Sequence, residues 1–261
     1  MRLNEAQIAH YREHGYLILP DLVDAALRAE LFGNISRVVA ECPYGQDNGI
    51  VCWDKQIVDG VVKLSDADRE LGVFKLHHPW KKDRYFRELL QRMPELEAVE
   101  QLLGGDLKAI AQQIVMKPPG HGQWQPYHQD GYYFNYEPSE GAAVWVALDE
   151  ATVENGCLWI VPGSHQRAIV PHRKPADVEH INNGFLEAEG VRRDEGIPVT
   201  LPAGAAVVFH NRLLHMSGPN KSAFRRRGLV THYASAAFKP RDPSKPHDYV
   251  LIRGREFAGC I

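Results

Sequence analysis

The sequence predicts a mainly β fold with flanking α-helices, built as a sandwich or small barrel. From about residue 107 onward, short apolar runs rich in β-branched residues alternate with Gly, Pro and Asn, which is the spacing of strands and turns. Before that point, apolar residues recur at helical spacings. At 261 residues the chain is long enough for one such domain with a substantial core. We therefore expect one domain over 1–261.

The first part, 1–105, is expected to be a mainly helical flank. Asn4 can cap a helix with Gln7 at its third position and Gly15 after its end, and "YLILP" follows as a strand candidate. Apolar residues at helical spacing predict a helix within 21–42 and another within 84–103. Pro94 lies inside the second segment and is expected to break or restart it.

The second part, 106–240, is expected to hold the β core. Its runs include "LKAIAQQIVMKPPG", "AAVWVALDEAT", "GCLWIVPGSH" and "IPVTLPAGAAVVFH". Between them, about 166–196 is polar and rich in His, Arg, Glu and Asn, which indicates a long insert or a lid over the mouth of the barrel.

Composition excludes several classes of protein. The net charge of -3 gives no general attraction to nucleic acid, although Arg225, Arg226 and Arg227 form a local basic cluster. No apolar stretch is long enough to span a membrane, so we expect neither nucleic acid nor membrane as a partner. The 4 cysteines form no CxxC pair and the N-terminus has no apolar signal region, which favours a reducing, cytoplasmic location. The sequence carries no signature of a particular oligomeric state.

The stretch "PYHQDGYYF" places His128 and Asp130 two positions apart in a strand-like run. Side chains at i and i+2 of a strand share a face, so both could bind one ion, but a pattern this short also arises by chance among 13 histidines. Downstream, His215 would complete a set of two imidazoles and one carboxylate, which suits Fe(II) and leaves coordination positions open. His210 competes as the third ligand. We favour His215, because His210 is expected to pack or hydrogen-bond near the turn at Asn211.

An open iron site that binds a 2-oxo acid also needs a cation for the far carboxylate, and the planar fork of arginine suits this role. The strand beginning "RRRGLVTHY" supplies three arginines. Alternation places Arg226 on the face opposite to Arg225 and Arg227, so only one register can point inward. All three could instead form a solvated surface cluster.

Together these features resemble the phytanoyl-CoA dioxygenase family of Fe(II)/2-oxoglutarate oxygenases. The motifs that carry the resemblance are H-x-D after "KPPG", then "ENGCLWIVPGSH", "HMSGPN" and an arginine eleven positions after His215. The opening "LNEAQIAHYREHGYLILPDLV" is also similar, so the likeness extends over nearly the whole chain. It implies a double-stranded β-helix, the cupin-like jelly roll.

The resemblance further implies the roles of individual residues. The iron ligands fall on His128, Asp130 and His215, and the residues that hold the distal carboxylate of 2-oxoglutarate fall on Arg226 and Ser217. Three further positions in contact with this co-substrate match by looser alignment: Lys75, Gln113 and Trp145. Lys75 could equally be a surface lysine, Trp145 could be core, and a one-residue slip would replace Gln113 by Gln112.

The implied chemistry is hydroxylation with Fe(II), 2-oxoglutarate and O2, ascorbate as reductant, and succinate and CO2 as co-products. Halogenating relatives lack the carboxylate found here at Asp130, so its presence favours hydroxylation. A small-molecule metabolite is the expected substrate. An aromatic wall could bind it, with His165, His172 and the insert above, although each aromatic could instead be core. The candidates are Trp124, Tyr127, Tyr132, Tyr133 and Phe134.

Two other functions remain open from the sequence. One is a non-catalytic cupin-like protein that binds a metal or ligand, which would not need Arg226 and Ser217. The other is an iron oxygenase that does not use 2-oxoglutarate.

Overall fold

The computed structural model describes residues 1–120, 124–175 and 185–261. The α-helices and strands within these residues are numbered in chain order. The helices are α1 (Glu5–His14), α2 (Ala25–Ala40), α3 (Lys55–Val58), α4 (Arg84–Leu89) and α5 (Leu96–Leu103). The strands are β1 (Tyr16–Leu19), β2 (Val51–Trp53), β3 (Val73–His77), β4 (Leu107–Lys117), β5 (Gln125–His128), β6 (Ala142–Ala147), β7 (Leu158–Ile160), β8 (His172–Arg173), β9 (Glu187–Ala188), β10 (Ile197–Val199), β11 (Ala206–His210), β12 (His215–Ser217), β13 (Arg226–Ser235) and β14 (Val250–Arg253).

Local sequence signals account for the helix ends. The Asn4 side chain accepts from the Gln7 backbone at 2.9 Å while Gln7 accepts from the Asn4 backbone at 2.9 Å, so the predicted capping box is confirmed. Gly15 ends α1 in the left-handed region, at φ 81°. The predicted break near Pro94 is also found, because α4 ends at Leu89 and α5 begins at Leu96.

Two antiparallel sheets face each other. The large sheet runs β1-β11-β6-β13-β4-β3-β2, with β14 also pairing with β4, and the small sheet runs β10-β7-β12-β5. The mainly β, jelly-roll class is therefore confirmed. The flank is less helical than expected, since β1, β2 and β3 join the large sheet, and β14 lies beyond the predicted end of the core at 240.

The core has two layers, which explains why the central strand β6 is apolar throughout. All six residues of β6 are buried. One face packs against the helices through Val144 and Val146, and the other faces the small sheet through Ala143 and Trp145.

The polar insert lies between β7 and β10. Its described part contains β8 and β9, which pair with each other, while 176–184 of the predicted insert fall outside the described residues. Across the parts of the chain that the structure covers, no helix has the length and apolar character to cross a membrane.

Candidate iron and 2-oxoglutarate site

Three side chains meet where the small sheet opens. His128 ends β5 and His215 begins β12, and these two residues lie directly opposite each other in the antiparallel pair. The Oδ1 atom of Asp130 is 3.6 Å from Nε2 of His128 and 3.7 Å from Nε2 of His215. All three residues are buried, and their donor atoms lie within 4.8 Å of one another. This is a set of two imidazoles and one carboxylate around one point in space.

The local geometry differs in one respect from the strand alternation argued above. β5 ends at His128, and Asp130 begins a short 3-10 helix, Asp130–Tyr132. The carboxylate therefore reaches the imidazoles because the chain turns at this point.

Backbone carbonyls orient both imidazoles. Nδ1 of His128 lies 2.8 Å from the Pro126 carbonyl oxygen, and Nδ1 of His215 lies 2.9 Å from that of Leu213. A carbonyl can only accept, so Nδ1 carries the proton and donates in each case. Nε2 is then unprotonated and lies near Asp130 in both residues, which is the state that a metal-binding histidine requires.

The shifted pKa values of His128 and Asp130 favour the protonation states that bind a cation. Burial and the neighbouring His215 lower the pKa of His128 to about 3. Burial alone would raise the pKa of Asp130, but His215, His232 and His128 outweigh it and hold that pKa below its usual range. At neutral pH His128 is therefore neutral and Asp130 is ionised, which are the protonation states that bind a metal.

His232 is a site residue that the sequence reasoning missed. Its Nε2 lies 3.1 Å from Oδ2 of Asp130, so it holds the carboxylate oxygen that does not face the other two histidines. A signal for it existed: His232 follows Arg226 by six residues on one strand, so alternation places both on the same face. Gln125 was also missed, and its Nε2 lies 3.0 Å from Nε2 of His128.

A buried guanidinium lies at the other end of the same cavity. Arg226 is only 1% exposed, its Nη2 donates to the Gly156 carbonyl at 2.7 Å, and its guanidinium carbon is 5.3 Å from the centre of the Trp145 ring. Burial lowers its pKa to about 10, so it stays charged near neutrality. Among the described residues its Nε has no hydrogen-bond partner, and the nearby acidic groups Cys157 and Asp149 act on it only through their charge. The site thus offers a free donor and an uncompensated charge to an anion.

The cavity joins these two ends. Lining residues include the His128, Asp130 and His215 set, His232, and four positions expected to contact the co-substrate: Arg226, Ser217, Gln113 and Trp145. Gln112 points to the other face, where its Nε2 lies 3.4 Å from the Thr231 hydroxyl. The Trp145 ring covers Gly228, whose added Cβ would lie 2.3 Å from it, so only glycine fits there. The residues present fit an iron ion at one end and a dicarboxylate that reaches from it toward Arg226.

Lys75 is not among the residues that line this cavity, although its register on the large sheet places it on the same face as Val115, which does line it. It lies on β3 opposite Val115, and its Nζ is 5.6 Å and 6.0 Å from the rings of Phe74 and Phe185. Burial lowers its pKa. Its expected contact with the co-substrate stays a prediction.

The expected aromatic wall is only partly formed. Trp124 and Tyr127 pack with Leu214 and Met216 in a separate apolar cluster, because the β5 residues that face the cavity are Gln125 and His128. This corrects the placement of Trp124 and Tyr127.

The next aromatic residues lie closer to the metal-binding set. The Tyr133 ring is 6.2 Å from that of His128 and is 44% exposed, while Phe134 lies 5.1 Å from His232. Tyr132, 38% exposed, stacks on His172 at 4.2 Å. Tyr133 thus lies beside one of the metal-binding side chains, whereas Phe134 packs against a further apolar cluster that includes Tyr136.

Two other histidines lie elsewhere. His210 contacts Glu140, with 2.7 Å between Nε2 and Oε2, and does not belong to the metal-binding set. His165 does not lie above the aromatic residues as expected, since its Nε2 is 3.1 Å from the Arg12 carbonyl and its ring is 5.3 Å from that of His210.

Known proteins resemble this chain in sequence and in fold. The family model "Phytanoyl-CoA dioxygenase (PhyH)" matches residues 11–228. The human peroxisomal phytanoyl-CoA dioxygenase is 32% identical over 232 residues, which cover 87% of this chain and 67% of that protein. L-proline trans-4-hydroxylase of Streptomyces griseoviridis is 34% identical over 181 residues, 60% of this chain and 66% of that protein.

A solved structure shows the same likeness. EvdO2 from Micromonospora carbonacea var. aurantiaca, complexed with 2-oxoglutarate, superposes with a TM-score of 0.69 at 26% identity, covering 95% of this chain and 96% of that one. The match of the family model spans most of the chain, including the three metal-binding residues, Ser217 and Arg226. This chain therefore belongs to the phytanoyl-CoA dioxygenase family and is a 2-oxoglutarate-dependent non-haem iron oxygenase.

Proposed function

We propose that the protein hydroxylates a small-molecule metabolite, using O2 and 2-oxoglutarate and releasing succinate and CO2, with ascorbate as a supporting reductant. His128, Asp130 and His215 hold the iron, and Arg226 with Ser217 holds the far carboxylate of the co-substrate. The bound iron and co-substrate supply the oxidising power, and the chain supplies position and shielding from water. The predicted cytoplasmic location and the single domain stay predictions.

The observation that carries this proposal is the buried Arg226 at the far end of the metal-binding cavity. A buried cation without a counter-charge is costly, and an anion bound beside it removes that cost. A metal-binding protein without catalysis, or an oxygenase without 2-oxoglutarate, has no use for such a group at this place. Asp130 supports hydroxylation, because it occupies the position that a halide would need.

The surroundings of the metal-binding residues and the names of two relatives support a small-molecule substrate. Tyr133, which is 44% exposed, lies beside the metal-binding His128 and offers an apolar ring face. Two relatives bear names of small-molecule enzymes, one for phytanoyl-CoA and one for L-proline. Because these two substrates differ, the compound used by this chain has to be identified by a screen.

The test is a screen of metabolites for substrate-stimulated succinate formation by the purified protein with Fe(II), O2, 2-oxoglutarate and ascorbate. We expect at least one compound to raise succinate release and to gain an oxygen atom. In Asp130→Ala, iron content and turnover should both fall to background, because one of three ligands is gone. His210→Gln is the matched control and should retain iron, since His210 contacts Glu140 instead.

Each alternative function has its own result in this experiment. Iron binding without any affinity for 2-oxoglutarate would indicate the other type of oxygenase. Undiminished iron content in Asp130→Ala would contradict the assignment of the metal site.

A further inference from the structure

A second buried cation stands beside Arg226. Lys117 ends β4 and lies directly opposite Arg226, which begins β13. Residues opposite each other in an antiparallel pair project to the same face, so both side chains point to the inner side of the large sheet. Lys117 is 2% exposed and Arg226 1%. Two cations are thus buried side by side at the end of the cavity away from the iron ligands.

Lys117 holds the turn that follows β12. Its Nζ donates to the carbonyl oxygen of Ser217 at 3.3 Å and to that of Gly218. In return, the side chain of Asn220 donates to the Lys117 carbonyl at 3.0 Å. The residue that carries the Ser217 hydroxyl is therefore tied to β4 through the lysine.

Arg226 holds a second turn against the first. Its Nη2 donates to the carbonyl of Gly156. Gly156 has a backbone φ of 85°, in the left-handed region. A Cβ on Gly156 would lie 2.4 Å from the Gly218 carbonyl oxygen, so the two glycine turns are in direct backbone contact. Lys117 and Arg226 each hold one of the two turns, and a shift of either turn would displace Ser217 from Arg226.

The charges of the two side chains also oppose each other. Burial lowers the pKa of Lys117, and the neighbouring Arg226 lowers it further. A distal carboxylate bound at Arg226 would offset this repulsion, whereas a ligand that binds the metal but has no distal carboxylate would not.

We propose that Lys117 is a positioning residue for the co-substrate, because its hydrogen bonds fix the turn after β12 and so hold the Ser217 hydroxyl in place beside Arg226. This inference rests on the proposed use of 2-oxoglutarate.

The test compares two metal chelators on the Fe(II)-loaded protein under anaerobic calorimetry. 2-Oxoglutarate reaches from the metal to the far end of the cavity, whereas oxalate chelates the metal and is too short to reach it. In Lys117→Met we expect the Kd of 2-oxoglutarate to rise about tenfold or more, as for the loss of one charged interaction. The Kd of oxalate should change by less than about twofold, since the proposal leaves the metal end untouched.

Two further variants keep the result interpretable. Lys117→Gln keeps a polar side chain that is one atom shorter and lacks the Nζ donor, and it should show the same selective loss if the methionine variant does not fold. Lys108→Met removes another buried lysine of β4, which pairs with Glu256 at 3.1 Å, and it should leave both affinities unchanged.

Equal weakening of both ligands, or unchanged binding of 2-oxoglutarate in Lys117→Gln, would overturn the role of Lys117. A wild-type protein that binds oxalate but not 2-oxoglutarate would instead refute the proposed co-substrate, so the two failures can be told apart.

Discussion

Arg226→Met removes the guanidinium while leaving an unbranched apolar chain beside Trp145. Two charged hydrogen bonds to the distal carboxylate are lost, one from the unpartnered Nε and one from a terminal nitrogen. Each hydrogen bond to a charged group contributes about 1.5–3 kcal/mol. The expected loss of binding free energy is therefore about 3–6 kcal/mol, or a rise in Kd of roughly two to four powers of ten.

The assay is calorimetric titration of the anaerobic Fe(II) protein with 2-oxoglutarate. Arg227→Met is the matched control, because Arg227 is the next residue, points to the other face and binds Asp149 with two bonds of 2.8 Å. That variant should lose stability but keep its affinity for 2-oxoglutarate. Arg226→Lys should fall between wild type and the methionine variant, since an ammonium cannot bind a carboxylate through a planar fork.

A Kd for Arg226→Met within about threefold of wild type would refute the reasoning, since one charged hydrogen bond alone is worth more. A comparable loss in Arg227→Met would show that the effect spreads through the sheet and does not arise from contact with the ligand.

Two other predictions concern the metal site and the core. His232→Gln should weaken Fe(II) binding about 10- to 100-fold, because Asp130 loses the partner that orients it. Equilibrium dialysis measures the affinity for Fe(II), and an unaltered affinity would show that Asp130 keeps its orientation without His232. Burial raises the pKa of Glu95 from 4.5 to about 7, although its hydrogen bond with Tyr233 opposes the rise. The unfolded chain then releases this proton at lower pH than the folded protein, so wild type should lose about 3 kcal/mol of stability as pH rises from about 4.5 to 7. In Glu95→Gln this part of the pH dependence should vanish. Urea unfolding at about pH 5 and pH 8 measures it for both proteins, and an equal change in their free energies of unfolding would contradict the assignment.

Sequence alone determined the features that depend on neighbours along the chain. The capping box at Asn4 and the break near Pro94 follow from local hydrogen bonding and from the missing N–H of proline. Alternation separated Arg226 from Arg227, whereas the choice between Gln113 and Gln112 stayed open until the pairing of β4 was known. Family resemblance then placed these residues in one cavity.

Tertiary structure decided the features that depend on pairing between distant segments. Strand alternation says which residues share a face, but it does not say what that face meets, so Trp124 and Tyr127 were expected at the entrance and instead pack in a separate cluster. The contact of His232 with Asp130 and that of Lys117 with the Ser217 turn each join residues about one hundred positions apart. Such contacts form only when the strands pair and the sheets close, because no hydrogen bond or packing preference within either segment specifies the other.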